Sequence, residues 1–387
     1  MKKSIVILGS TGSIGRSALE ILERWRGDFE VVGLAAGDNA EELAGQLERF
    51  PGARFSARDG DSGGAVLAKR GLGARAAGYG PEGIETLIRE TKPALVINAL
   101  VGIAGLRPTL AALELGCTVA LANKETLVTA GELIARRFPR ASETIIPIDS
   151  EHFSLSRCLR GHRDDTVEII LTASGGPFYG RRGADLADVT VEQVLDHPTW
   201  KMGPKVTVDS ANLLNKGLEV IEARWLFRFP YSAIKVVVHP QSIVHAIVRL
   251  RDGSLVAHLG PADMKLSLMS ALYHPEVREF PWRSLGLDEL GGMAFAPIDR
   301  AEYPAYSLAL AAAERGGTAT AVLNAADEVA VSAFLGGRIG FLTIVSWIEE
   351  ALGAHTTRPV GALDDVLEAD RWAREFLAGR HREALRP

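Results

Sequence analysis

Short apolar runs and helical periodicities take turns along the first part of the chain. Residues 4–8 (Ser4-Ile5-Val6-Ile7-Leu8) form a β-branched run, and the stretch 16–24 repeats its apolar positions at helical spacing. Residues 29–35 read as a second strand, and strand-like runs at 94–99, 118–122 and 144–148 are separated by helical patterns. This alternation predicts an α/β fold with a Rossmann-like, doubly wound parallel sheet over residues 1–150, because parallel strands need crossovers that helices usually supply. Beyond residue 160 the rhythm changes. Strands are expected at 166–172, 234–238, 242–251 and 254–260, the last two joined by the turn pair Asp252-Gly253. The last three predict an antiparallel piece within a central α+β catalytic domain, 151–285. Residues 275–304 are rich in proline and turn formers, and 286–304 reads as a linker. Four helical periodicities, at 305–315, 318–335, 343–351 and 363–378, predict a C-terminal helix bundle over 305–387.

Polar positions that break these patterns are candidates for chemistry. Gly9-Ser10-Thr11-Gly12-Ser13-Ile14-Gly15 stands between the first strand and the first helix, where backbone N–H groups and a helix dipole can meet a pyrophosphate. Its spacing is a variant of the usual dinucleotide fingerprint. Gly37-Asp38-Asn39 ends the second strand, where a ribose would be held, and Asp38 leaves the choice between NAD and NADP open. Asn123-Lys124-Glu125 and Asp149-Ser150-Glu151-His152 end later strands, and Asp149 and Glu151 would point the same way in an extended segment. Such a pair suits a hard divalent ion, or simply opens a helix at 153–159.

Ser174-Gly175-Gly176-Pro177 follows the strand at 166–172 and suits a phosphate. The irregular stretch up to Pro204, with His197, Trp200 and Met202, reads as a flexible lid. Wound as one helix, 208–219 stacks Asn215 over Glu219 with Lys216 at their edge and places Ser210 near a helix start. That face could hold a phosphate, a metal or both; equally, it could be a solvated face capped by Asp209 or Ser210. His239 and His245 read as packing residues, and Asn324 and Glu328 as neighbours on a helix face.

Composition narrows the class. With 47% apolar residues and a formal net charge of -5, the chain suits a globular enzyme and gives no reason to expect nucleic acid. Cys117 and Cys158 are too few for a disulfide framework and point to a reducing cytoplasm. The run after Lys2-Lys3 stops at Gly9, and the run at 94–106 is too short for a bilayer, so no membrane partner is expected.

Taken together and in order, the motifs at 9–15, 122–125, 149–152, 174–178, 197–200 and 208–219 resemble the 1-deoxy-D-xylulose 5-phosphate reductoisomerase family. The resemblance implies NADPH- and metal-dependent rearrangement and reduction of 1-deoxy-D-xylulose 5-phosphate to 2-C-methyl-D-erythritol 4-phosphate, in non-mevalonate isoprenoid biosynthesis. It implies Mg²⁺ or Mn²⁺, with Co²⁺ a further candidate, on Asp149, Glu151 and Glu219, and a catalytic set completed by Lys124 and His197. Ser174, Ser210, Asn215 and Lys216 would take the substrate phosphate; Lys124, Ser150, Glu151, His197, Trp200 and Glu219 complete the substrate contacts. Thr11, Gly12, Ser13, Ile14, Gly37, Asp38, Asn39, Asn123, Glu125, Met202 and Gly203 would line the NADPH site, and a homodimer is implied. Asp38 departs from the basic or small residue the family often carries near the 2′-phosphate. A semialdehyde or hydroxy-acid dehydrogenase and a non-catalytic dinucleotide sensor are the rival readings, and a metal requirement separates them.

Overall fold

Seven parallel strands organise the first part of the chain in the computed structural model, which describes residues 1–181 and 183–385. The lid stretch and the bundle expected to reach residue 387 thus include Arg182, Arg386 and Pro387, which lie outside the described residues. The strands are β1 (Lys3–Leu8), β2 (Phe29–Ala36), β3 (Arg54–Ala57), β4 (Ala76–Tyr79), β5 (Leu95–Asn98), β6 (Thr118–Leu121) and β7 (Ile145–Pro147), in the order β4-β3-β2-β1-β5-β6-β7. Every pairing is parallel. Ile5 to Leu8 and Leu95 to Ile97 are fully buried, as strands covered on both faces must be. The strand order reverses between β1 and β5, the position where such sheets bind ligands.

Chain contacts divide the protein into two units. The first is Met1–Thr126, Phe138–Ser150 and Asp263–Pro281, and the second is Leu127–Arg137, Glu151–Ala262 and Trp282–Pro387. The first unit therefore includes a late helix, Met264–Tyr273, capped by Asp263 and tied to the helix Ser13–Arg24 by a 2.7 Å ion pair between Lys265 and Glu20. Tyr273 donates a hydrogen bond to Asp28 at 2.6 Å.

The second unit holds β8 (Thr166–Ala173), β9 (Ile234–Val238), β10 (Val244–Leu250), β11 (Leu255–Leu259) and β12 (Ala296–Pro297), in the order β11-β10-β8-β9-β12. The sheet is mixed: the three strands expected as an antiparallel piece are not contiguous, because β8 lies between β9 and β10 and runs parallel to β9. The intervening helices Pro204–Ala211 and Leu214–Phe227 form the crossover that a parallel pair requires. The hairpin at Asp252-Gly253 is present, between antiparallel β10 and β11. Helices Pro304–Arg315, Ala319–Leu335, Phe341–Ala354 and Leu363–Arg380 form the C-terminal bundle, burying Val322, Ile344, Trp347 and Val366.

One local expectation changes the site. The single helix foreseen at 208–219 is two helices, broken where Leu213 takes a left-handed φ of 60°. Asn212 Oδ1 accepts from Leu214 N at 2.9 Å, a local side-chain bond that competes with the helix ladder. Ser210 consequently lies in the last turn of the first helix, not at a helix start. Asp209 pairs with Lys205 at 2.7 Å within the first helix, and the N-cap positions of the two helices are Gly203 and Leu213.

Candidate active site

The glycine loop is shaped by two close approaches. Gly9 has φ +81°, and a Cβ on it would lie 2.5 Å from Ala99 O; a Cβ on Gly15 would lie 2.3 Å from Gly9 O. Gly12 starts the helix Ser13–Arg24 without a side-chain cap, which leaves the first-turn N–H groups to an anion. Thr11 and Ile14 are half-buried, Gly12 and Ser13 exposed.

At the end of β2, Gly37, Asp38 and Asn39 are exposed. Asn39 caps the helix Ala40–Arg49, accepting from Glu42 N at 3.1 Å and donating to the Glu42 carboxylate at 2.8 Å. Asp38 pairs with Arg58, so its charge is matched by a guanidinium from the end of β3. No sequence reading singled out Arg58; a base just past a strand neighbouring β2 was the available signal.

Asn123 is buried, and its Nδ2 lies 2.9 Å from Leu100 O, 2.8 Å from Gly102 O and 3.0 Å from the carboxylate of Glu125. Both residues thereby brace the loop after β5. Next to them, Lys124 Nζ lies 2.8 Å from Asp149 Oδ2. Ser150 opens the helix Ser150–Leu159, with Asp149 just before it and Glu151 in its first turn. The extended Asp149–Glu151 segment imagined from sequence is thus corrected to a helix start.

In the second unit, acids and a base meet in a buried cluster. Lys216 Nζ lies 2.7 Å from Glu151 Oε1 and 2.5 Å from Glu219 Oε2. Asn215 Nδ2 donates to Glu219 Oε1 at 2.5 Å, one helical turn away. Lys216 is 3% and Glu219 1% exposed, so these charges interact with little solvent screening. Oxygens of Glu151 and Glu219 lie within 4.8 Å of each other, close enough for one cation to bridge them. Behind them His152 Nε2 lies 2.9 Å from Glu219 O, and its Nδ1 3.3 Å from Glu222 Oε2. That fully buried pair pins the helix of Glu151 to the helix of Glu219. Glu222 was not foreseen, although it lies three residues beyond Glu219 on a neighbouring helix position.

Ser174 and His197 also come together, with Oγ and Nε2 3.1 Å apart. Thr199 N and Trp200 N donate to His197 Nδ1 at 3.2 and 3.0 Å, so Nδ1 is an acceptor and the proton sits on Nε2. Burial holds the imidazole below its ordinary pKa, consistent with that neutral form. Ser174 Oγ accepts from Nε2 and from Gly176 N at 3.1 Å, which leaves its own hydrogen to donate elsewhere. Trp200 meets His245 edge-on at 5.8 Å between ring centroids. Half-buried Met202 and Gly203 lead into Pro204–Ala211, and Ser210 is buried near its end. His239 Nδ1 donates to Ala294 O at 2.9 Å and its ring stacks on Phe295, while His245 Nε2 donates to Gly260 O at 3.1 Å; both are packing residues.

Comparison with known proteins gives concordant matches. Residues 5–131 match the family model for 1-deoxy-D-xylulose 5-phosphate reductoisomerase, and 145–227 and 259–376 match its two C-terminal domain models. The chain is 48% identical to the reductoisomerase of Moorella thermoacetica over 390 residues, covering all of both chains. It is 46% identical to that of Chlorobium chlorochromatii over 374 residues, 96% of this chain and 98% of the relative. Among solved structures, the Zymomonas mobilis reductoisomerase in complex with NADPH has a TM-score of 0.88 at 38% identity, covering 98% of this chain and 99% of that one. A reductoisomerase in complex with NADPH, fosmidomycin and magnesium has a TM-score of 0.90 at 32% identity, with 98% of both chains covered.

Proposed function

The chain belongs to the 1-deoxy-D-xylulose 5-phosphate reductoisomerase family, and from that premise we propose how its residues carry the reaction. It rearranges and reduces 1-deoxy-D-xylulose 5-phosphate to 2-C-methyl-D-erythritol 4-phosphate, using NADPH and a divalent metal. The observation that carries the residue assignment is the convergence of Glu151 and Glu219 on the Lys216 ammonium. Two carboxylates, one buried and one half-buried, that close on one cation form a donor set suited to Mg²⁺ or Mn²⁺. Asp149 would be the third ligand; being two residues from Glu151, it is kept within reach by backbone continuity. Once bound, the metal supplies Lewis-acid polarisation of the substrate carbonyl.

The remaining roles follow from the local bonds. Lys216, Asn215, Ser210 and Ser174 donate to the phosphate, and Ser174 is aimed by the neutral His197. Lys124, held by Asp149, and Ser150, His197 and Trp200 contact the sugar end. Ser13 and Ile14 present N–H groups to the NADPH pyrophosphate, with Gly12, whose own N–H bonds Gly9 O at 3.1 Å, and Thr11, Gly37, Asn39, Met202 and Gly203 lining the cofactor. Asn123 and Glu125 hold the loop after β5 in place for it. Arg58, paired with Asp38 just past β3, is the base assigned here to the 2′-phosphate, with Asp38 orienting it; that ion pair supports the assignment.

The domain division at 150, 285 and 304 is retained as part of this reading. A homodimer is proposed to form through the second sheet, whose edge strand β11 leaves Leu255 exposed. A cytoplasmic setting suits Cys117 and Cys158, both buried free thiols. Among the described residues no helix is long and apolar enough to cross a membrane.

The test is NADPH consumption by purified protein given the deoxyxylulose phosphate and Mg²⁺. Turnover is expected to stop on chelation, and Glu219→Gln is expected to abolish it while circular dichroism stays that of the parent. Full activity in that variant, or NADPH loss indifferent to chelator, would refute the metal assignment.

A further inference from the structure

The second unit also encloses a cavity of about 320 Å³, lined by residues 128–132, the end of the helix Leu214–Phe227, Tyr231 and the start of the helix Ala319–Leu335. Its floor is aromatic. The Trp225 indole lies so close to Gly131 that a Cβ there would fall 2.1 Å from the ring, and the Arg224 guanidinium sits 5.3 Å from the ring centroid.

Its polar groups are donors in want of an acceptor. Among the described residues, Arg224 has no ion pair, and neither its guanidinium nor the hydroxyls of Tyr231 and Thr320 make a hydrogen bond. Thr320 is 7% exposed and lines the cavity. Burial pushes the Tyr231 phenol up to about 12, which keeps it a neutral O–H donor. The helix starting at Ala319 adds to this set. Its cap, Thr318, turns to His355 Nε2 at 2.8 Å and accepts from Arg358 N at 3.0 Å, and makes no bond to its own first turn. Gly316, Thr318 and Ala319 N–H groups already bond backbone carbonyls, so it is the Thr320 N–H, with the helix dipole, that favours negative charge at this helix start. The one acid on the wall, Glu132, is solvent-exposed.

We propose that this cavity binds a small ring-bearing oxyanion, a carboxylate or a phosphate monoester. The ring would lie against Trp225, and the oxyanion would be held by Arg224, Thr320 and the first turn of the helix. The volume, at the lower end of the ~300–1,000 Å³ range of small-molecule sites, admits one ring and its substituent. The site is separate from Lys216 and Glu219 and does not depend on their assignment.

Crystals of the full chain soaked in 4-iodobenzoate test it directly, because the iodine marks where the ring lies. Calorimetry with benzoate, phenyl phosphate and neutral benzyl alcohol supplies affinities for the parent, Arg224→Met and Thr320→Val. Iodine density in the cavity and a roughly tenfold loss of affinity in Arg224→Met are expected, as a charge-assisted bond predicts. Thr320→Val, a milder change that keeps the fold if Arg224→Met does not, is expected to weaken binding about threefold. Preference for benzoate would mark a carboxylate ligand, and preference for phenyl phosphate a phosphate monoester. Iodine absent from the cavity, benzyl alcohol binding as tightly as the anions, or variants indistinguishable from the parent would overturn the proposal.

Discussion

The proposed cofactor choice and the pH response each turn on one side chain. Arg58 pairs with Asp38 at the surface, so an acid that on its own would favour a free 2′-hydroxyl is offset by a base. Arg58→Ser is expected to raise KM for NADPH roughly tenfold and leave KM for NADH unchanged. An equal change for both would mean that Arg58 does not read the 2′-phosphate. His258 illustrates the other kind of effect. Its Nδ1 lies 2.9 Å from Ser154 Oγ, and burial, followed by His245 and Arg157, lowers its pKa to about 4. The folded pKa lies below the unfolded value near 6.5, so the unfolded chain binds the proton first. The group is thus without penalty above pH 6.5, and stability declines as pH falls from there towards 4. Urea midpoints measured across that window are expected to fall less in His258→Gln than in the parent; parallel curves would disprove the linkage. At this scale the sequence was most informative where partners are sequence neighbours, as with Asn215 and Glu219. It was silent where they are distant: Arg58 with Asp38, and His152 with Glu222, meet only through the fold.

Whole elements were legible in proportion to how uniformly they are buried. β1, β5, β6 and β7 announce themselves as continuous apolar runs because helices cover both faces. β3 and β4, reading Arg-Phe-Ser-Ala and Ala-Ala-Gly-Tyr, carry no such run, and their strand character comes from pairing in the sheet. The helix Met264–Tyr273 is apolar nearly all round, so no amphipathic period marked it. The break at Leu213 depends on a side-chain bond that periodicity cannot express. The helix carrying Lys216 and Glu219 is seated by Gly217, where a Cβ would lie 2.4 Å from the Cβ of Ala309 in the helix Pro304–Arg315. Gly217→Ala is expected to cost about 1–3 kcal/mol by overpacking and to lower turnover by shifting Glu219. An unchanged urea midpoint would show that these helices part without strain.

For the molecule as a whole, the cluster at Lys216 has a consequence for the order in which ligands assemble. One ammonium cannot fully serve two carboxylates and also grip a phosphate. On the proposed assignment, a divalent ion taking over Glu151 and Glu219 would release Lys216, and by reciprocity an anion drawing Lys216 away would make room for the ion. Saturating Mg²⁺ is expected to tighten inorganic phosphate binding on the order of tenfold, with phosphate tightening Mg²⁺ by the same factor. Titrations in which each leaves the other's affinity untouched would rule this out. The lysine would then act as a placeholder, keeping the acids gathered until cation and sugar phosphate arrive as mutually reinforcing guests.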